Sequence, residues 1–142
     1  MENPESLGPF RVLICGQRDY RNYEAILSWV EKLPPGSVVI HGGAPGADIL
    51  AGQAAMACGL DVVVFEAQWA QFGRAAGPIR NKRMLTIGKP DFVWAFYRKG
   101  GIEKSKGTNN MIRQSRKNQT PVMIVEDTDE FVNKPIRPWK GL

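Results

Sequence analysis

Two cysteines and one histidine are all that this 142-residue chain holds of the residue types that build disulfide frameworks and most zinc sites. Cys15 and Cys58 lie far apart, and no second pair completes a zinc-ligand spacing, so a disulfide scaffold and a Cys-rich metal domain are both excluded. Each is expected to be a small buried hydrophobe in a reducing cytosol. Long apolar runs are also missing: none approaches the ~20 residues that a membrane span needs. The opening MENPESLGPF has no basic stretch leading into an apolar one, so no secretory signal is expected and the location is read as cytoplasmic. Internal repeats and low-complexity segments are lacking. A further shortage is regional, because no Lys or Arg occurs from Leu33 to Gly73.

What is present is ordinary globular material, 43% hydrophobic and 23% charged, which argues against wholesale disorder. The length suits one domain, large enough to bury its core without a staple. Nineteen basic residues oppose fourteen acidic ones for a net charge of +5. The excess is concentrated late in the chain. Arg74, Arg80, Lys82, Arg83 and Lys89 occur with no acid between them, and residues 98–117 carry seven Lys or Arg against Glu103 alone. Such a field attracts phosphates, on a nucleotide or on a polynucleotide.

Hydrophobic patterning gives the element order. Residues 1–9, with Pro4, Gly8 and Pro9, read as a loose leader. RVLICG at 11–16 reads as a buried strand. Helical spacing follows over 22–33 and is stopped by Pro34 and Pro35. Strands are predicted at 37–43, 61–67, 91–97 and 121–127, and helices at 47–58, 75–87 and 108–118, the last with Thr108 as N-cap. Residues 128–142 read as an irregular tail. The alternation β-α-β-α-β-α-β-α-β over 10–127 predicts a single α/β, Rossmann-like three-layer domain with a mostly parallel five-stranded sheet. In such sheets ligands bind beyond the carboxyl ends of the strands, at the point where strand order reverses.

The strand ends therefore hold the candidate site. Gly16 and Arg18 follow the first strand. HGGAPGAD (41–48) follows the second, with Gly42, Gly43, Ala44 and Gly46 leading into a helix start. Unpaired amides and the helix dipole make that geometry an anion site. Asp48, in the first turn, serves either as a helix cap or as an acceptor for a ribose or base. His41, the sole histidine, reads as a structural strand-end residue ahead of a general base. After the third strand come Glu66, Trp69 and then Arg80 and Asn81. Trp69 suits either core packing or cover for a planar ligand, and Arg80 offers a planar fork for phosphate. After the fourth strand, Gly107 and Thr108 open the last helix, with Asn110 in its first turn. The two glycine-led helix starts are expected to share one crevice.

HGGAPGAD, then W-x3-G-x2-A-G-P-x-R-N-x2-M from Trp69 to Met84, then KGTNNMIRQSRKNQTPV at 106–122, resemble the SLOG superfamily, especially its YspA/YpsA-like branch. The resemblance runs from about Phe10 to Val125. It implies a Rossmann-like fold that binds nucleotides or nucleotide-derived molecules. Relatives include the LOG-type phosphoribohydrolases and the single-strand-binding DprA. By this resemblance Gly42, Gly43 and Gly46 form the first phosphate or ribose loop. Arg80 matches an Arg used near the glycosidic bond in LOG enzymes, and Gly107 and Thr108 match their Gly-Thr. The Glu of that LOG motif is replaced by Met111, so hydrolysis would need Asp48 or Glu66 as its carboxylate.

The leading expectation is thus a binder of a nucleotide-like phosphorylated ligand, without a resident cofactor or metal. The alternatives are cleavage of the N-glycosidic bond of a nucleoside monophosphate, with Asp48, Glu66 and Arg80 as catalytic candidates, and a nucleic-acid-binding module. A homo-oligomer is also expected, because Trp29, Trp69 and Trp139 are more aromatic bulk than one small core needs.

Overall fold

In the computed structural model, which describes residues 8–128, five strands form one all-parallel sheet in the order β3-β2-β1-β4-β5. The elements run β1 (Arg11–Gly16), α1 (Tyr23–Val30), β2 (Val38–His41), α2 (Ala47–Ala57), β3 (Asp61–Val64), a one-turn α3 (Trp69–Phe72), α4 (Ala76–Thr86), β4 (Phe92–Tyr97), α5 (Lys106–Lys117) and β5 (Val122–Glu126). This is the Rossmann-like α/β architecture that the alternation predicts. Short 3-10 turns at Gly73–Ala75 and Ile102–Lys104, together with α3, have no counterpart in the predicted order. The tail and most of the leader lie outside the described residues.

Alternation along the strands fills two cores, one on each face of the sheet. Val12 and Ile14 point to the side covered by α1 and α2, where they join Ile26, Val30, Val39 and Phe96. Leu13 and Cys15 point to the side covered by α4 and α5, with Met84, Val93, Tyr97 and Met111. α2 lies close to the sheet because its inner face is small: Ala47, Ala51, Ala54 and Ala55 are fully buried. Gly52 in that helix faces His41, whose Nε2 would stand 2.8 Å from an added Cβ.

Several boundaries are shorter than predicted. α1 ends at Val30 rather than at residue 33, because Lys32 and Leu33 turn back to Trp29 and Val30 in tight i−3 bonds ahead of Pro34. Asn22 caps that helix by accepting the Ala25 amide. Trp29 is not spare bulk: its ring packs edge-on to Trp94 at 5.1 Å and to Phe96 at 6.0 Å. Trp139 lies outside the described residues, so the aromatic argument for an oligomer reduces to Trp69. Among the described residues no helix is long and apolar enough to cross a membrane.

Candidate functional site

Strand order reverses between β1 and β4, and every strand is parallel, so all the predicted site residues are delivered to one rim. The switch point itself is filled. The buried Gln17 side chain accepts the Arg98 amide, and Gly101 closes over it so tightly that an added Cβ would collide with its Oε1. The loop after β4 is tied further by Gly100 donating to Glu126 and by an Arg98–Asp19 ion pair at 2.7 Å. Nothing in the sequence pattern singles out Gln17, because its partners are some eighty residues away.

The Gly-rich loop after β2 adopts the sharp turn expected of it, with φ of +72° at Gly43 and +83° at Gly46. Gly46 presses against the loop after β1, where an added Cβ would collide with the Gln17 and Arg18 carbonyl oxygens. Gly16 is equally confined, between the Phe96 carbonyl and the Ala47 methyl. The amides of the loop are not bare, however. Gly42 and Ala44 donate to the Asp48 carboxylate at 3.0 and 3.3 Å, and Gly43 donates to His41 Nδ1 at 3.0 Å. Asp48, reaching back from the first turn of α2, occupies the anion position itself. The expected cradle of free amides at Gly42, Gly43 and Ala44 is corrected accordingly. The Ala47 amide goes to the Gln17 carbonyl, which leaves the amides of Asp48 and Ile49 at the open start of the helix.

Electrostatics follow from this packing. Asp48 is only 5% exposed, and burial pushes its carboxyl up to about 6 against the pull of the two amides, Arg80 and Arg18. Burial first, and Arg80 second, lower the His41 pKa, which suits a neutral ring accepting at Nδ1. Burial also lowers Arg80, with the Asp48 charge opposing that shift. The Arg80 guanidinium donates to the Gly42 carbonyl and, through Nε, to Asn81. Glu66 lies on the outer side of the loop, its Cγ 3.2 Å from a Cβ built on Gly43, and is exposed. Arg18 sits 5.8 Å over the half-exposed Trp69 ring, and the rim of that ring would stand 3.4 Å from a Cβ built on Gly77.

The second glycine-led helix start differs from expectation. α5 begins at Lys106 with Ser105 as its N-cap, so Thr108 is a buried first-turn residue and not the cap. The 3-10 turn ahead of it feeds the chain in two residues early, and the Asn109 amide already bonds the Ser105 carbonyl. Asn81, itself buried, donates to the Gly107 carbonyl and to Asn110 Oδ1, and Gln114 donates to the same Asn110 oxygen. Both loops therefore share the rim, but Arg80 and Asn81 form a hydrogen-bonded partition where an open shared crevice was expected. Open space lies on the other side of the first loop. A groove of about 420 Å³ is lined by Arg18, Asp19, Tyr20, Arg21, Gly46, Ile49 and Leu50. Among the described residues no group of three or more His, Cys, Asp or Glu side chains converges as a metal site would.

The loop, the following helix and the strand leading into them fall inside residues 10–72, which match the family described as YAcAr, the YspA, cpYpsA-related SLOG family. No solved structure matches the chain. The "Gene 61 protein" of Mycobacterium phage D29 is 34% identical over 126 residues, a stretch that covers 82% of this chain and 97% of that protein. That relative spans nearly the whole domain and the family match covers the Gly-rich loop, so the chain belongs to the YspA, cpYpsA-related SLOG family.

Proposed function

We propose that this protein binds a nucleotide or nucleotide-derived phosphorylated ligand at the carboxyl rim of its sheet. The observation that carries the reading is the groove beside the start of α2, lined by two arginines, Arg18 and Arg21, together with Gly46 and Ile49, its one acid, Asp19, being paired with Arg98. The phosphate would meet the Arg18 guanidinium and the amides at the open helix end, where positive charge and the dipole act together. The apolar sides of Ile49 and Leu50 offer a surface for a base, and Trp69 beside Arg18 offers a second. Family membership supports a nucleotide-related ligand in general terms.

The test is a thermal-shift and calorimetry screen of nucleoside phosphates, cyclic nucleotides and ADP-ribose. Binding tighter than millimolar that weakens at least about tenfold in Arg18→Ala supports the reading, a loss in the range of one charge-assisted contact. If no compound binds below millimolar, the reading fails.

One observation favours hydrolysis as a second reading. Asp48 has its carboxyl lifted to about 6 and stands beside Arg80, which is the tuning expected of a group that passes protons near neutral pH. Release of free base from nucleoside monophosphates, lost in Asp48→Asn, would support it. Intact substrate after long incubation with every common monophosphate would remove it.

A further inference from the structure

We propose that the outer face of α4 and α5 is a docking surface for the phosphate backbone of a nucleic acid. The two helices pack side by side, joined by Asn81 to Asn110 and by Gln114 to the Pro78 carbonyl. Neither helix contains a single Asp or Glu. Their exposed charges are Lys82 and Arg83 on α4 and Lys106, Arg113, Arg116 and Lys117 on α5. At 100° per residue, Lys106, Arg113 and Lys117 fall in one narrow stripe opposite the buried Met111 and Ser115.

None of these six cations has an ion pair among the described residues. Asp91 accepts the Arg11 amide, Glu126 the Gly100 amide, and Asp19 pairs with Arg98, so none of these acids is held against the six cations. The nearest acid in sequence is Glu103, on the turn before α5. The face with α1 and α2 is different, since α2 has no Lys or Arg at all. Positive charge is therefore concentrated in one layer of the molecule.

The stripe has the right dimensions. From Lys106 to Lys117 the helix rises about 16 Å, a length over which one strand of a duplex presents about five phosphates. A membrane surface fits less well. The apolar residues of these helices are committed to the core, and Ile79 and Ile87 are the exposed exceptions, so little is left to insert between lipids. This surface lies on a different part of the molecule from the groove beside α2, and docking here requires nothing of a nucleotide there.

The test is fluorescence anisotropy of the full chain with a labelled random-sequence duplex and with the matching single strand, from 50 to 200 mM salt. If all six cations engage phosphates, the log–log salt slope is about −5 on the duplex, where affinity falls about a thousandfold across that range, and about −4 on the single strand. The triple variant Lys82→Ala, Arg113→Ala, Lys117→Ala should lower the slope by about 3, and Arg113→Ala or Lys117→Ala alone by about 1 each. Lys32→Ala, an exposed cation over Trp29 on the opposite layer, should leave it unchanged. Preference for duplex or single strand identifies which form docks. No anisotropy change with either probe at about 100 µM protein and 50 mM salt overturns the proposal. So does binding whose salt slope the variants leave intact, or stronger association with phosphatidylserine vesicles than with either nucleic acid.

Discussion

Asp48 sits at the centre of the site's electrostatics, and replacing it with Asn separates its charge from its shape. The two amides of Gly42 and Ala44 converge on one carboxylate oxygen, at 3.0 and 3.3 Å. An Asn carbonyl in that place accepts both, so the loop keeps its anchors. What disappears is the titration. Burial holds the Asp48 carboxyl at about 6, against an ordinary 3.8, so the folded protein holds this proton more firmly than the unfolded chain does. Between pH 4 and 6 the native state therefore binds more protons, and stability contributed by this group falls as pH rises. The rise from 3.8 to about 6 corresponds to about 3 kcal/mol, most of it lost by pH 7.

His41 works in the opposite sense, because its folded pKa is lowered; its contribution rises with pH toward 6.5. Comparing wild type with Asp48→Asn cancels that background. Urea unfolding at intervals from pH 4 to 7.5 should show the variant gaining about 2–3 kcal/mol on wild type across the series. A stability difference that is flat with pH would mean that Asp48 ionises at an ordinary pKa, and one that moves in favour of wild type as pH rises would mean that it ionises below that. The picture of a carboxylate desolvated inside its own loop would then be wrong.

Three further outcomes follow from close contacts. Gly46→Ala drives a Cβ into the Gln17 and Arg18 carbonyl oxygens at a φ of +83°, and chemical denaturation should record a loss of at least about 2 kcal/mol. Tyr20→Phe removes the 2.8 Å donor to the buried Asp127 Oδ1, leaving Asn22 as its one remaining partner among the described residues, and should cost about 1–3 kcal/mol by the same measurement. Phe96→Ala empties a fully buried site that holds the rings of Tyr20 and Trp29, and thermal unfolding should show a loss of about 3–5 kcal/mol.

The fold is legible in the sequence because its signals are local and repeated. Each strand is a short apolar run, each helix after it has its own periodicity, and a parallel sheet follows from the alternation. The predicted strands run too long where apolar or glycine residues continue past the last paired residues, His41 and Val64, as at Phe65 and Gly42. The start of α5 is misplaced because Thr108, directly after Gly107, reads as a cap, whereas the cap position is Ser105. A 3-10 turn at Ile102–Lys104 decides the matter, and short turns of that kind have little sequence signal. Positions of the candidate residues are legible for the same topological reason: strand ends share a rim. Their partners are not. Asn81 reads from the sequence as a ligand contact, yet its amide joins α4 to α5, a pairing between residues separated by almost thirty positions.

The Gly-rich loop shows where such reading reaches its physical limit. Glycines before a helix start create an anion position by freeing amides, and the sequence announces that position clearly. It does not announce whose anion fills it. Here the acid two residues after Gly46 is long enough to reach back to Gly42, and the desolvation that raises it to about 6 measures what that closure costs. Once Asp48 holds the loop, an incoming phosphate gains little from Gly42–Ala44 and would be repelled there. Positive charge remains at the outer start of α2, where Arg18 and Arg21 line the groove with Asp19, Gly46 and Ile49. The internal carboxylate thus ties the loop at Gly42 and Ala44, and it is for this reason that the proposed ligand position lies outward of the loop, in the groove.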